Sequence, residues 1–428
     1  MSTTKRYTNE QLISVEDARQ VVFEHLTRSS TERIPLTEAF GRVLAQDVSS
    51  DIDISPFDNS AMDGFAVRFA DFEAARGGLP LQMPIAGHVA AGEVFEGVLQ
   101  PGQAVRIMTG APMPEGADTV VKIEDTEVLG ESAENASGEQ VVFAKTPQYG
   151  ANVRMHGEEA KAGEVLLRCG ERLNAAGVGL LASTGNSTVS VYRRPTVAIF
   201  STGTELVGCD QVPGPGQIRN SNSYSLAAQV LETGAIPVIM PAVGDTREEL
   251  QAALLSAVDA GDFVLSSGGA AEGDFDFITP AVREQGELFF NKVNMKPGKA
   301  QTFGVVRGVP FLGLPGNPGA AAVGFEIFAR PALRWMQGYP ELDRQFVQAR
   351  MATDVHKRNE TRRLYLRATL TRDAAGEYLV SPDRNQSSAL LGVLNRSNCL
   401  LIVPEGPDSL LSGQTASCLR LDMEQAVV

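Results

Sequence analysis

The amino-acid sequence predicts a multidomain protein of α/β plus β class: a central doubly wound α/β domain, an all-β domain inserted into a split N-terminal domain, and a further β domain at the C-terminus. Three observations carry that expectation. The chain has 428 residues, whereas single hydrophobic cores stop growing at about 250–300 residues, so three or four domains are expected at roughly 100–200 residues each. Between residues 194 and 333, strand patterns of buried type alternate with helical ones, which calls for a parallel sheet covered by helices on both faces. On either side, in residues 43–143 and after residue 343, apolar runs are short and broken by Gly and Pro, the texture of β domains.

Each element follows in order. Ser14 heads "SVEDARQVVFEHL", with Asp17 three residues on, and Val15, Val21, Val22 and Leu26 form an apolar stripe, so a capped helix opens the protein. "LQMPIAGHVAAGEVF", "GQAVRIMTGAPMPEGADTVVKIEDTEV" and "QVVFA" supply the strands of the inserted β domain. "RLNAAGVGLLAS" reads as a helix that returns to pack with the first one. The α/β alternation then runs "PTVAIFS" (strand), "NSYSLAAQVLETG" (helix), "AIPVIMP" (strand), "TREELQAALLSAVDAG" (helix) and "DFVLSS" (strand). A helix over 277–285, the strand "PFLGLPG" and a helix over 318–333 extend it. "RRLYLRATLTRD", "EYLVSP", "NCLLIVPEG" and "ASCLRLDM" are strands of the last domain. The expected boundaries are 1–45 with 145–183 for the split domain, 46–144 for the insertion, 184–335 for the α/β domain and 336–428 for the C-terminal domain.

Composition narrows the chemistry. Asp plus Glu number 52 against 37 Lys plus Arg, for a formal charge of −15, which disfavours nucleic-acid binding because that relies on a basic face. No apolar run approaches the ~20 residues of a membrane span, and the start "MSTTKRYTNEQL" lacks the apolar core of a signal peptide. The expected compartment is the cytoplasm. Cys169, Cys209, Cys399 and Cys418 are far apart without a C-x-x-C pair, and the four histidines are equally scattered, so a metal here takes oxygen ligands.

In an open parallel sheet, ligands bind outside the carboxyl ends of the strands. The loops there are "STGTEL", "VGDT", "SSGGAAEGDFD" and "LPGNPG". Ser201, Thr202, Gly203 and Ser267, Gly268, Gly269 offer hydroxyls and unhindered backbone N–H groups suited to a phosphate or other oxyanion. Taken singly, each loop reads equally well as an ordinary tight turn. Glu205, Asp245 and Asp274 add carboxylates at the same edge. Asp245 also reads as a helix cap, yet several carboxylates beside an anion site suit magnesium, whose ligands are carboxylates and substrate phosphates. In "VNMKPGKAQTFG", Lys296 and Lys299 flank a Pro-Gly turn that aims both ammonium groups one way or leaves them as solvated surface charge. In "SPFDNSAMDGFAV", Asp63-Gly64 reads first as a hairpin turn.

These stretches, with "RIMTGAPMPEGADTVV", "GQIRNSNSYSL" and "GLPGNPGAAAVGFEIF", resemble in this order the MoeA family of molybdopterin molybdenumtransferases, which includes the C-terminal domain of gephyrin. The resemblance spans residues ~10–420. It implies a homodimer of four-domain subunits with an α/β domain like that of molybdopterin adenylyltransferase and a C-terminal β-barrel. It implies insertion of molybdate into the dithiolene of adenylylated molybdopterin, with Mg2+-dependent loss of AMP. By the same resemblance Asp63, Glu205, Asp274, Lys296 and Lys299 belong to the catalytic set. Glu205, Asp245 and Asp274 look like the Mg2+ region. Thr109, Arg154, Pro315, Gly316 and Asn317 join the loops above as substrate-binding positions. Asp63 and Thr109 would face the other subunit, and the adenylyltransferase and molybdoenzymes would be further partners. Two departures stand out: "SGGAAEGD" replaces a serine hydroxyl with Ala271 and gains Glu272, and "HGEE" has His156 and Glu159 where the family has Arg and Asp. A gephyrin-like dimeric scaffold is the alternative, and an adenylyltransferase is a third reading. The retained acids and lysines argue against the former, and the full-length β domains against the latter.

Overall fold

The structure is a computed structural model describing residues 12–130, 139–269 and 277–422. Two compact units compose it. The larger draws on Met1–Gln46, Cys169–Val178 and Thr188–Val428, the smaller on Asp47–Arg168 and Gly179–Ser187. The helix Ala175–Ser183 is divided between them. Among the described residues, no helix is long and apolar enough to cross a membrane.

The larger unit is built on a six-stranded sheet in the order Ile236–Ile239, Thr196–Ser201, Phe263–Ser267, Val309–Leu314, Ala300–Val306, Gly286–Lys292. The uninterrupted apolar runs of the central strands are explained by burial on both faces. Val197, Ile199 and Leu265 point into one core with Leu226 and Val230 of the helix Asn222–Glu232. Ala198, Phe200 and Val264 point into the other, with Leu250, Leu254 and Val258 of the helix Arg247–Ala260. The first four strands are parallel, but the last two are antiparallel to their neighbours. The expected all-parallel sheet is therefore mixed, because "GELFFNK" and "AQTFGVV" are joined by too short a connection for a parallel crossover.

The opening helix spans Val15–Glu24, and Ser14 Oγ accepts from Asp17 N–H at 3.0 Å, as the capping pattern required. Its buried face joins the α/β core beside Phe289, Phe290 and Met295, rather than forming the expected helix pair with residues 172–183. The long C-terminal helix of the α/β domain is Pro318–Gly324, a π-turn over Phe325–Ala329, and Arg330–Met336.

Beyond it, Arg363–Arg372, Tyr378–Pro382, Phe346–Met351, Thr415–Arg420 and Cys399–Val403 pair in that sequence, and the last pairs again with the first, closing a five-strand barrel. Ala368, Leu370, Val380, Leu401 and both barrel cysteines fill it. None of the four cysteines is in a disulfide.

The smaller unit holds a second six-stranded sheet, ordered Thr119–Lys122, Gly64–Val67, Ala104–Ile107, Leu81–Val89, Gln140–Phe143, Thr126–Leu129. One short helix, Phe69–Ala74, interrupts the expected all-β texture. Gly64 is demanded by packing, since a Cβ there would overlap the carbonyl oxygen of Val121 on the neighbouring strand.

Candidate functional site

A cleft of about 1120 Å³ opens at the carboxyl ends of the parallel strands, walled by the α/β domain and the barrel. Its floor is a lattice of short polar side chains that the strand ends bring together. Asn222 Nδ2 donates to Ser267 Oγ at 2.6 Å and to the carbonyl of Gly316 at 2.8 Å. Ser267 Oγ donates in turn to the carbonyl of Pro315, and Ser201 Oγ meets Ser223 Oγ at 2.9 Å. Thr202 N–H donates to the carbonyl of Ser267. Three loops are thereby tied into one surface. Yet Thr202 Oγ1 and Asn222 Oδ1 are buried without a hydrogen-bond partner among the described residues, and buried polar atoms left unmet call for an explanation. Both residues line the cleft.

Charge is concentrated here. Arg219, Lys296 and Lys299 of the α/β domain and Lys357, Arg358, Arg362 and Arg367 of the barrel line the cleft against Glu205 and Glu360, in a chain of formal charge −15. Lys296 Nζ lies 3.1 Å from Glu360 Oε2, and Arg362 grips both oxygens of the same carboxylate at 2.8 and 2.7 Å. Arg362, through its side chain and its backbone N–H, outweighs the opposing effect of burial and, with Lys296, holds the Glu360 carboxyl down at about 2. Arg367 is buried, its Nη2 donates to the carbonyl of Ser387 at 3.1 Å, and its Nε has no hydrogen-bond partner among the described residues. Lys357 is spent on barrel carbonyls, those of Arg362 and Gly406 among them. Arg358 is exposed and makes no hydrogen bond or ion pair among the described residues.

Because Glu360 has a lowered value in the fold, its contribution to stability is complete above its ordinary value of 4.5 and fades as the pH falls towards 2. The denaturation midpoints of the parent and of Glu360→Gln are therefore expected to converge over that interval. A gap that stays constant from pH 6 to 2.5 would contradict the assignment.

The predicted residues fall into two groups. Ser201, Thr202, Glu205, Ser267, Lys296, Lys299, Pro315, Gly316 and Asn317 all line the cleft. Gly203, Gly268 and Gly269 lie in the same strand-end loops: Gly203 N–H donates to the carbonyl of Val243, and Gly268 N–H to that of Leu314. Asp245 is not the helix cap. That role falls to Thr246, whose Oγ1 accepts from Glu249 N–H, while Asp245 Oδ2 accepts from Thr204 N–H at 3.0 Å. Asp274, with Ala271 and Glu272, lies outside the described residues. Among the described residues, no three acids, histidines or cysteines gather into a metal cage. Glu205 and Asp245 nevertheless suit Mg2+, which typically takes only one or two carboxylates and completes its shell from phosphates and water.

Asp63, Thr109 and Arg154 belong to the smaller unit. Asp63 is no hairpin turn: its Oδ1 accepts from both the N–H and the Oγ1 of Thr109 at 2.7 Å, which holds its carboxyl below the usual range. Arg154 is exposed on the strand Val153–Arg154, paired with Asn59–Ser60 of the same motif. His156, one of the two departures, donates its backbone N–H to Asp58 and sets its ring 3.2 Å from Asp53.

Sequence reasoning missed the barrel wall altogether. "HKRNETRRLYLR" carries its signal, a density of cations unusual in an acidic chain, but it reads as strand register. Arg219 and Asn222 stand in "GQIRNSNSYSL", a stretch quoted without nominating either.

A mixed α/β sheet with a polar strand-end floor, facing a basic barrel wall, makes a cleft of the kind that suits an anionic small molecule. Family models match the chain over nearly its whole length: the MoeA N-terminal region, domains I and II, at residues 13–185; a probable molybdopterin binding domain at 198–335; and the MoeA C-terminal region, domain IV, at 348–421. A molybdopterin molybdenumtransferase of Bacillus subtilis is 36% identical over 96% of this chain and 95% of its own length. One from a Nostoc species is 37% identical over 95% and 94%. The crystal structure of the molybdopterin biosynthesis protein MoeA from Pyrococcus horikoshii superposes with a TM-score of 0.82 at 31% identity, covering 96% of this chain and all of that one. The chain belongs to the MoeA family.

Proposed function

We propose that this protein is the molybdenumtransferase of molybdenum cofactor biosynthesis, inserting molybdate into the dithiolene of adenylylated molybdopterin and releasing AMP. The observation that carries this reading is the cation-rich cleft over a polar strand-end floor, in an otherwise acidic chain. A phosphoanhydride and an oxyanion both carry charge that must be neutralised before they can be brought together, and positioning with electrostatic stabilisation supplies most of such a catalysis.

Lys296 and Lys299 bind the anhydride oxygens. Arg367, with its Nε unmet, accepts an oxyanion from the barrel side. Thr202 and Asn222 orient the substrate on the floor. Water cleaves the phosphoanhydride, leaving AMP and a phosphorylated pterin, while the two thiols of the dithiolene bond to molybdenum through sulfur and pass their two protons to one oxide of molybdate, which departs as water. Glu205, Asp245 and Asp274 would hold Mg2+, which when bound offsets the negative charge of the phosphates. The working state is a cytoplasmic homodimer in which Asp63 and Thr109 of one subunit complete the cleft of the other, and Arg154 is a further substrate-binding position. The adenylyltransferase that makes the substrate and the molybdoenzymes that receive the product are the expected partners. A scaffold would need neither the lysine turn nor the acids at the sheet edge.

The test is AMP release from adenylylated molybdopterin by the purified protein in Mg2+, with molybdate titrated. Release that saturates with molybdate is expected. Absence of release from a folded protein that binds the nucleotide would overturn the reading.

A further inference from the structure

Both cleft lysines stand on one turn, Lys296-Pro297-Gly298-Lys299, between the strands Met295–Lys296 and Ala300–Val306. A lysine is a point charge on a flexible four-carbon stem, so where its ammonium group rests depends on how firmly the turn beneath is held. Gln301 touches that turn from below. It is fully buried, and its Nε2 donates to the carbonyl of Gly298 at 3.2 Å.

Two glycines leave the space this amide occupies. A Cβ on Gly298, which has φ +90°, would stand 2.7 Å from Gln301 Nε2. A Cβ on Gly324, in the helix Pro318–Gly324, would stand 2.6 Å from Nε2 and 2.7 Å from Oε1. The amide is wedged between the turn and the helix. Its Oε1 has no hydrogen-bond partner among the described residues, so burying it costs free energy that an apolar side chain of similar size would avoid. What the amide supplies that leucine cannot is a directional hold on the Gly298 carbonyl.

Resting on the anion-binding role given to the lysines above, we infer that Gln301 is a positioning residue that fixes the turn and thereby aims Lys296 and Lys299 into the cleft. The probe is inorganic pyrophosphate, titrated calorimetrically into the full-length protein, alongside molybdate-dependent AMP release and the melting temperature. Gln301→Leu is expected to weaken pyrophosphate binding and to lower kcat/KM for AMP release about tenfold each, with the melting temperature at or above the parent's, because the effect is on aim rather than on packing. Gly324→Ala, which pushes on the same amide from the helix side, should give a loss of the same kind. In a Lys296→Ala/Lys299→Ala background, Gln301→Leu should change pyrophosphate affinity less than about twofold, the non-additivity of groups acting through one another. Parent-like affinity in Gln301→Leu, or an undiminished tenfold loss without the lysines, would overturn the inference. If the parent binds pyrophosphate but releases no AMP, the transferase reading fails while the titration still decides the role of Gln301.

Discussion

Lys296→Ala is expected to lower molybdate-dependent AMP release by at least ~100-fold, the scale on which removing a single stabilising donor from a preorganised site acts. The fold should survive, because Lys296 is a half-exposed side chain and its partner Glu360 keeps the bidentate grip of Arg362. Loss of a cation that binds ground state and transition state alike would raise KM alone, whereas loss of one that meets charge developing on the anhydride lowers kcat. The prediction is for the second, so kcat should fall with a smaller change in KM. Lys296→Arg, with the charge kept but the shape changed, should recover only part of the rate. Rates near the parent's for Lys296→Ala and Lys299→Ala together would remove the chemistry from this cleft. Asp274→Ala is expected to match them, on the carboxylate's proposed role at Mg2+.

How much of this was legible in the sequence depends on the range of the forces involved. The strands of the α/β domain declared themselves because burial on both faces leaves unbroken runs such as "TVAIFS", and the cap at Ser14 is a local hydrogen bond that local residue types announce, whereas at the helix Arg247–Ala260 the reading fell one residue early, on Asp245 instead of Thr246. The strand-end loops followed from topology: once the sheet is parallel, Ser201, Thr202, Ser267 and Pro315 must share an edge. Asp63 was misread as a turn because its partner Thr109 stands 46 positions on, beyond any local pattern. The mixed sheet edge was missed because "GELFFNK" and "AQTFGVV" flank a turn striking enough in its lysines to be read as loop alone. The barrel wall stayed hidden for a deeper reason. Arg362, Arg363 and Arg367 lie on or beside one strand, and which cation faces the cleft, which pairs with Glu405 and which is buried is decided by barrel closure.

The largest effect on stability is expected at Glu326. This carboxylate is buried in the π-turn and accepts from Arg330 Nε at 2.7 Å, Arg344 Nε at 2.9 Å and Gln229 Nε2 at 3.0 Å. Burial alone would raise its pKa, but the two guanidinium groups outweigh burial and hold it lowered and ionised. Glu326→Leu takes from the buried Arg330 and Arg344 the buried carboxylate they share and leaves them the half-exposed Glu232 as a common carboxylate, and breaking a buried pair from one side costs about 3–5 kcal/mol. Chemical denaturation should show that loss. Adding Arg330→Met and Arg344→Leu should restore most of it, since an apolar replacement of the whole group removes the desolvation cost together with the attraction. Failure of the triple variant to recover would mean that the network's geometry, rather than its charge balance, is what the fold requires. Function should follow, because Arg344 stands at the entry to the barrel while Gln229 and Glu232 belong to the helix that begins at Asn222 on the cleft floor. A single variant with the network broken should therefore bind pyrophosphate more weakly even at temperatures where it remains folded, and the triple variant should regain stability before it regains affinity.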